Sequence, residues 1–373
     1  MKSLVFAILL LGVAPGSPAA AKTQAPDTTP RPTPAEASNP EAITIAAVGD
    51  IMMGSTFPDE TRLPPNDGKD LLQDFTPVLS AADIAFGNLE GPLLEGGVST
   101  KCGQKTTVRR KPASEQHCFA FRVPTRYGEY LKAAGFDVMN LANNHAGDFG
   151  DYGRASTRKV LDTLGIKYLG SDRSRFATTV LEVKGKKIGF VGFAPNEGVP
   201  NLNDLAGARQ RVTDLKSKAD LVVVSFHGGA EGTGYQHVPH GKELFLGESR
   251  GDLRTFTHAM IDAGADLVLG HGPHVMRGME IYRDHLIVYS MGNFCTYGWF
   301  TLEAETALTA VFDITLNMDG KFLDGKLYPG KQLGRGGPVS DPSGEAIRVV
   351  RALSVDDFGP DAPKIADDGA FTK

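Results

Sequence analysis

The sequence contains little cysteine. Only three cysteines occur among 373 residues, and none belongs to a Cys-x-x-Cys motif, which argues against a cysteine-ligated metal site. Cys102 and Cys118 flank a short basic segment, and they could form a disulfide that leaves Cys295 single. No cysteine lies near the N-terminus, so we expect no lipid attachment there.

The chain also lacks an excess of basic residues. Its formal net charge is −5 at pH 7, whereas a nucleic-acid-binding protein carries a basic electrostatic footprint. We therefore predict that nucleic acid is not a partner. An anionic substrate is still compatible with this charge, because a bound metal ion can invert the local field.

One segment departs from this acidic balance. The insertion at about residues 95–123 is basic, and it interrupts the regular succession of helices and strands. A contact with a polyanion is one interpretation of such a cluster, and a solvated surface loop is the commoner one. The basic residues concerned are Lys101, Lys105, Arg109, Arg110, Lys111 and His117.

Long apolar runs are missing except near residue 1. Met1-Lys-Ser precedes the apolar run 4–13, and small residues follow as far as Ala21, which is the pattern of a secretory signal peptide over 1–21. The run is shorter than the roughly 20 residues that a membrane-spanning helix needs. We predict an exported protein, periplasmic or extracellular, and the alternative is membrane association through an uncleaved N-terminus. Residues 22–40 are rich in Pro, Thr, Ala and Ser and are predicted to be a disordered linker.

No solenoid repeat is present, and residues 41–355 are interpreted as one α/β domain. Apolar, β-branched stretches such as 43–48 and 220–225 are typical of strands that are buried on both faces. The segments 178–183 and 187–193 predict a hairpin, so the two sheets should be mixed, with helices outside them. We predict a last strand over 347–353 and a tail over 356–373.

Polar side chains follow the ends of several predicted strands. In α/β proteins ligands bind beyond the carboxyl ends of the strands, so these residues should converge in space. A turn or capping role is the ordinary alternative for each of them taken alone. The candidate metal ligands are Asp50, Glu90, Asn144, His227, His271 and His274.

This ligand set combines oxygen and imidazole donors without a thiolate. Such a set suits one or two divalent ions, Mn²⁺, Zn²⁺ or Fe, better than Ca²⁺ or a structural zinc. His145 is the candidate catalytic residue, because a histidine beside the ligand Asn144 can protonate a leaving group. The candidates that support the ligands or contact the substrate are Asn88, Asn143, Asp148, Glu231 and Asn293.

Taken in order, these segments resemble the CapA family of capsule and poly-γ-glutamate biosynthesis proteins, which is related to the calcineurin-like metallophosphatases. The resemblance covers roughly residues 43–300, and as an ordered set it is specific. The matching pieces are Gly49-Asp50-Ile-Met52-Met-Gly54, Asn88-Leu-Glu90, Asn143-Asn144-His145 with Asp148 and Gly150, His227-Gly-Gly-Ala-Glu231, Gly270-His271-Gly-Pro-His274 and Tyr289-Ser-Met-Gly-Asn-Phe294.

The resemblance implies a four-layer α/β/β/α sandwich with its site at the strand ends. Asp50 stands where the metallophosphatases begin their first Asp-x-His motif, and Met52 replaces the histidine. Asn144-His145 matches their Asn-His pair, and His271 with His274 resembles their last Gly-His-x-His motif with one extra residue.

Three functional interpretations follow from the residues and the resemblance. The first is an exported protein with a metal-dependent hydrolase or transferase site that acts on a γ-glutamyl polymer, working with a membrane synthetase. The second is a metal-dependent phosphoesterase on the same scaffold, because fold does not fix function. The third is a non-catalytic accessory protein that binds the polymer or stabilises the synthetase complex.

Overall fold

The computed structural model describes residues 41–102 and 119–373. Its strands are β1 Ala42–Met52, β2 Ile84–Leu89, β3 Val138–Asn140, β4 Lys167–Leu169, β5 Thr178–Val183, β6 Lys186–Phe193, β7 Leu221–His227, β8 Glu243–Phe245, β9 Glu248–Gly251, β10 Leu267–His271, β11 Met279–Tyr282, β12 His285–Val288, β13 Asn293–Thr296, β14 Leu308–Asn317, β15 Phe322–Gln332, β16 Pro338–Ser340, β17 Lys364–Ile365 and β18 Ala370–Thr372. Its α-helices are α1 Thr76–Leu79, α2 Tyr127–Ala133, α3 Gly150–Leu164, α4 Leu205–Lys216, α5 Leu253–Asp262 and α6 Glu345–Phe358. No helix in these two ranges is long and apolar enough to cross a membrane.

Two mixed sheets carry the fold. The ten-stranded sheet has the order β17-β18-β15-β14-β1-β2-β3-β4, and β13 and β16 pair with β1 and β15. The six-stranded sheet has the order β11-β12-β10-β7-β6-β5. In each sheet the strands at the centre run parallel, as β1 does with β2 and β7 does with β10. Antiparallel strands complete both edges of the smaller sheet and one side of the larger sheet, whose other edge is the parallel strand β4.

The sheets pack face to face because their central strands are apolar on both sides. In β1, Ile45 belongs to the core between the sheets and its neighbour Ala46 belongs to the core under the helices, as the alternation of side chains along a strand requires. Phe86 of β2 stacks on Phe190 of β6 across the interface, with ring centroids 5.8 Å apart. The helices α1, α2 and α3 cover the outer face of the larger sheet, and α4 and α5 cover that of the smaller one. This is the four-layer α/β/β/α sandwich that the resemblance implies.

The prediction for the C-terminal part of the chain is wrong. Residues 347–353 belong to helix α6 and not to a strand. Its buried residues Ala346, Ile347, Val350 and Leu353 recur at helical spacing, so packing on one face overrides the strand preference of the β-branched residues.

Residues 356–373 are not a tail either. After α6 the chain adds β17 and β18 to the edge of the larger sheet. Phe371 is fully buried, and its ring stacks on Phe322 at 5.6 Å. The domain that was expected to stop at residue 355 therefore includes these strands.

Gly270 on β10 allows close packing of this strand against its two neighbours, β7 and the end of β12. A Cβ at this position would lie 2.3 Å from the carbonyl oxygen of Tyr289 and 2.5 Å from the Phe226 ring. We expect Gly270→Ala to lower the free energy of unfolding by about 1–3 kcal/mol, as measured by urea denaturation. A Cβ at Gly234 meets nothing within 4 Å, so Gly234→Ala is the control and should change stability by less than about 0.5 kcal/mol. Equal stabilities of the two variants would contradict this packing.

Asp313 on β14 predicts a dependence of stability on pH. Burial raises the pKa of this carboxyl from 3.8 to about 6, and the charges of Asp324 and Asp83 add to the effect. Between these values the folded state binds more protons than the unfolded state, so stability falls as the pH rises through this range. Asp313→Asn should therefore raise the free energy of unfolding by about 1–3 kcal/mol at pH 8 and leave it nearly unchanged at pH 4. An equal gain at both pH values, measured by denaturation, would refute the shift.

Candidate metal centre

The carboxyl ends of five parallel strands from both sheets meet at one edge of the sandwich. In the larger sheet Asp50 of β1 lies opposite Asn88 of β2, and Asn88 lies opposite Asn140 of β3. In the smaller sheet His227 of β7 lies opposite His271 of β10. The register of each sheet therefore places ligand-type side chains in a row, and the face-to-face packing brings the two rows together.

Two carboxylates lie among the imidazoles at this edge. Asp50 Oδ2 is 3.0 Å from His274 Nδ1, and Asp50 Oδ1 is 3.5 Å from His271 Nδ1. Glu90 Oε1 is 3.8 Å from His227 Nε2 and 3.9 Å from His274 Nε2. All five residues are at least nine-tenths buried, and this arrangement is costly unless something compensates the charges.

Several buried atoms in the cluster lack a hydrogen-bond partner within residues 41–102 and 119–373. They are both carboxylate oxygens of Glu90, Nε2 of His227, Nε2 of His271 and Oδ1 of Asn144. Buried polar atoms are normally paired, so a set of unpaired oxygen and nitrogen atoms at one place calls for a partner. These atoms are all ligand types for Mn²⁺, Zn²⁺ or Fe.

A divalent cation fits this donor set. Ligand atoms of Asp50, Glu90 and His274 lie within 4.8 Å of one another, which is close enough for one ion to contact all three. His271 approaches Asp50 and His227 approaches Glu90 at the distances given above, and Asn144 contributes an unpaired amide oxygen. The structure thus brings the predicted ligands to one place; their role as ligands stays a prediction.

The pKa values of the buried acids and of His274 indicate that the cluster favours a positive charge at its centre. Burial raises the pKa of Glu90 to about 8. Burial also acts to raise the pKa of Asp50, but hydrogen bonds from His271 and His274 hold it well below 3.8. For His274 burial acts downward, yet the carboxylates of Glu90 and Asp50 outweigh it and raise the pKa to about 10. Protons thus supply the positive charge that a bound cation would replace.

A network of amides fixes the two carboxylates. Asn88 donates from Nδ2 to Asp50 Oδ1 at 2.8 Å, and the same nitrogen is 3.4 Å from His227 Nδ1. Asn88 Oδ1 accepts hydrogen bonds from Asn140 at 2.9 Å and from Asn143 at 3.1 Å. Asn88 and Asn143 therefore belong to the hydrogen-bond network of the cluster, and their role in metal or substrate binding stays a prediction. Sequence reasoning missed Asn140, although its position at the end of β3 was the available signal.

His145 lies beside the cluster with Asp148 behind it. His145 Nδ1 is 2.7 Å from Asp148 Oδ2, and His145 Nε2 is 3.9 Å from Glu90 Oε1. Burial lowers the pKa of His145, and the Asp148 carboxylate partly opposes this. Asp148 also accepts a hydrogen bond from the Phe121 backbone at 2.8 Å and lies 3.3 Å from the Lys101 ammonium. This pairing orients the imidazole with Nε2 toward the cluster.

His274 is held in an uncommon backbone conformation. Its φ is 58°, in the left-handed region that few non-glycine residues adopt and that often marks a functional site. Asn293 fixes it twice, because its Oδ1 is 3.0 Å from His274 Nδ1 and its Nδ2 donates to the His274 carbonyl at 3.1 Å. Asn293 thus holds the side chain and the backbone of His274 in place, and its role in support of a metal ligand stays a prediction.

A cleft of about 510 Å³ opens beside the cluster, and Asn144, His145 and His274 line it. Glu231 lies in this cleft, where its Oε1 is 2.8 Å from Arg250 Nη2. Sequence reasoning missed Arg250, because the β8–β9 hairpin that carries it has no apolar strand pattern. It also missed Asn196, which follows β6 and has a buried, unpaired Oδ1 in the part of the chain described.

Some predictions concern residues that the structure does not describe. Cys118 lies outside the described ranges, so the disulfide with Cys102 stays a prediction. The same holds for Lys105, Arg109, Arg110, Lys111 and His117 of the basic insertion, and for the signal peptide and linker over 1–40. Cys295 is free and buried.

The sheet order and the buried cluster define the class of protein, an α/β/β/α sandwich domain with a candidate divalent-metal centre at the carboxyl ends of its central strands. Within this class the chain belongs to the bacterial capsule synthesis protein family PGA_cap, whose model matches residues 44–297.

Two curated relatives agree with this family. The PGA biosynthesis protein CapA of Bacillus subtilis is 29% identical over 76% of this chain and 70% of its own length. The capsule biosynthesis protein CapA of Bacillus anthracis is 29% identical over 74% of this chain and 67% of its own length.

A solved structure with a similar fold is the NAD nucleotidase of Haemophilus influenzae. It is 12% identical with a TM-score of 0.39, and the match covers 84% of this chain and 56% of the nucleotidase. The fold class of this chain is assigned from its own sheet order and not from this match.

Loss of a single ligand should weaken metal binding. Changes in residues that only support a ligand typically cost 10–100-fold in affinity, so Asp50→Asn and His274→Ala should each lower the affinity for Mn²⁺ by at least about 100-fold. Titration calorimetry of the chelator-treated protein measures this directly. His240 is exposed, and His240→Ala is the control for weak binding to surface imidazoles. Wild-type affinity in both ligand variants would rule out the assignment.

Proposed function

We propose that this chain is an exported, divalent-metal-dependent hydrolase of capsule or polyglutamate synthesis, and that it acts on a γ-glutamyl polymer. The observation that carries the proposal is the buried group of unpaired oxygen and nitrogen atoms around Glu90, with the His145–Asp148 pair beside it. Asn144 of the first part and His145 of the second line the same cleft.

Each group in the cleft has a chemical role in this proposal. One or two divalent ions, when bound, supply electrophilic activation of the scissile carbonyl or phosphoryl group and a water of lowered pKa. The residues that would hold them are Asp50, Glu90, Asn144, His227, His271 and His274. The chain itself supplies the proton donor, because Asp148 holds Nδ1 of His145 and leaves Nε2 to exchange a proton with the departing group.

The polymer and the compartment come from other observations. The relatives in the two Bacillus species are named for PGA and capsule biosynthesis, and the N-terminal pattern over 1–21 supports export. A membrane synthetase complex is the partner that such a role requires. A transferase reaction at the same centre differs only in the acceptor, an amine of another chain in place of water.

A phosphoesterase is the second candidate. It is favoured by the Asn144-His145 pair beside mixed oxygen and imidazole donors on an α/β/β/α sandwich. Phosphoryl transfer gains most from positioned positive charge, and the same cluster would supply it.

Assays with two substrate types separate these candidates. The chelator-treated protein is supplied with Mn²⁺, Zn²⁺ or Fe²⁺ and incubated with γ-linked glutamate oligomers or with bis(p-nitrophenyl) phosphate. We expect metal-dependent cleavage of the oligomers, detected as new amino termini. Cleavage of the phosphodiester alone would select the phosphoesterase. If neither substrate is cleaved, with or without added metal ions, the result would refute a hydrolase and favour an accessory role.

His145 should be needed for turnover but not for metal binding. Because general acid catalysis contributes about 10²–10⁴-fold, His145→Ala should lower kcat by at least about 100-fold. The variant should keep the wild-type metal content, measured by inductively coupled plasma mass spectrometry. Loss of metal from this variant would instead assign His145 to the ligands, and unchanged kcat would remove it from the mechanism.

A further inference from the structure

Two cationic side chains, Lys101 and Arg250, line the cleft beside the cluster of predicted ligands. Lys101 lies on the side of the larger sheet, where its Nζ is 3.4 Å from the carbonyl oxygen of the predicted ligand Asn144. Arg250 lies on the side of the smaller sheet, on strand β9, and contacts Gly229, which is two residues beyond the predicted ligand His227. There its Nε donates to the Gly229 carbonyl at 2.9 Å, and the Gly229 N–H donates to the Arg250 carbonyl at 2.8 Å.

Each cation is oriented by one acid and keeps capacity for another. Lys101 Nζ lies 3.3 Å from Asp148 Oδ1, a long contact, and its side chain is 37% exposed. Arg250 is 2% exposed at its side chain and has Glu231 as its acidic neighbour. The Lys101 ammonium has three N–H donors, and its contacts with Asn144, His145 and Asp148 are all long, at 3.3–3.4 Å, so a carboxylate can replace one of them. The Arg250 guanidinium has five N–H donors, and its contacts with Gly229 and Glu231 do not use all of them.

We propose that Lys101 and Arg250 recognise the carboxylates on the two sides of a scissile γ-glutamyl amide. This inference rests on the proposed function and names the feature of the substrate that the cleft reads. In a γ-linked chain every unit keeps a free α-carboxylate, and the carbon attached to the departing nitrogen carries one. In an α-linked chain that carbon carries the next peptide carbonyl instead.

The position of each cation assigns it to one side of the bond. Lys101 Nζ is 3.4 Å from Nδ1 of His145, the residue that protonates the departing nitrogen, so Lys101 binds the carboxylate of the departing unit. Arg250 is joined to the segment after His227, so it binds the carboxylate of the other, acyl unit. Hydrolysis adds the hydroxyl of water to the carbonyl carbon and a proton to the nitrogen, and neither cation changes its protonation.

One acidic residue in the cleft works against an anionic substrate. Glu248 on β9 lines the cleft and is exposed, and it forms no ion pair with another described residue. Its negative charge should repel a polyanion, so changes at Lys101 and at Glu248 should have opposite effects on binding. Removal of Lys101 should weaken binding, and removal of the Glu248 charge should strengthen it.

The chain contains its own reporter for these experiments. Trp299 is the single tryptophan of the sequence, and it lines the same cleft. Its ring contacts Phe121 at 5.5 Å, and the Phe121 ring lies 4.1 Å from that of His145. Occupation of the cleft should therefore change the tryptophan fluorescence of the full-length protein.

The test compares three hexameric probes by fluorescence titration of the Mn²⁺-loaded His145→Ala protein, in which turnover is blocked. The probes are γ-linked glutamate, α-linked glutamate and γ-linked glutamate with every α-carboxylate converted to an amide. Hydrogen bonds to charged groups justify an expected loss of about tenfold in affinity for each of the two altered probes. This comparison needs no change at Arg250, which is buried.

Variants in the same background then identify the residues. Lys101→Met should weaken binding of the γ-linked acid by about tenfold and leave binding of the amidated probe unchanged, and Lys101→Arg should restore most of the loss. Arg250→Lys keeps the positive charge but loses the planar guanidinium donors, so it should weaken binding of the γ-linked acid and leave binding of the amidated probe unchanged. Glu248→Gln should strengthen binding of the γ-linked acid. Lys242 is exposed on the neighbouring segment and does not line the cleft, so Lys242→Met is the matched control and should change nothing.

The outcomes separate this inference from the proposed function. Equal affinity for the acid and amide probes, or equal effects of Lys101→Met and Lys242→Met, would overturn the carboxylate recognition. Metal-dependent hydrolysis of γ-glutamyl bonds by the wild-type protein could still hold in that case. Absence of metal-dependent hydrolysis, with the probe preferences intact, would overturn the hydrolase and keep the carboxylate-binding cleft.

Discussion

The structure depends on the burial of two carboxylates and three imidazoles at the edge where two sheets meet. Asp50, Glu90 and His274 are close enough to share one positive charge. Without it, their free energy of burial would be strongly unfavourable. A hydrophobic core alone gives no reason to place these side chains there. The arrangement has a physical reason once a cation is part of the folded, working protein.

The rest of the fold can be understood as the support for that edge. Parallel pairing of β1, β2 and β3 aligns the acids and amides, and pairing of β7 with β10 aligns two of the histidines. The apolar core between the sheets fixes their separation, with Phe86 and Phe190 stacked across it. Asn88, Asn293 and Asp148 then hold particular side chains in place by hydrogen bonds.

Strand ends with ligand-type residues could be predicted from the sequence because the pattern is local. An apolar, β-branched run that stops at Gly49-Asp50 or Gly270-His271 reveals both the strand and its functional end. Features that depend on long-range packing could not be predicted. Helix α6 was interpreted as a strand because Val349 and Val350 favour strands locally, and its helical face is apparent only from its burial. Arg250 lies in a short hairpin without an apolar pattern, and β17 and β18 are too short to carry any signal.

The most direct measurement of the central claim is X-ray diffraction from crystals of the protein grown with Mn²⁺, recorded where manganese scatters anomalously. The account predicts one or two anomalous peaks within about 2.5 Å of oxygen and nitrogen atoms of Asp50, Glu90 and His274. Well-ordered side chains at this edge without an anomalous peak between them, or manganese bound only at surface carboxylates, would contradict it.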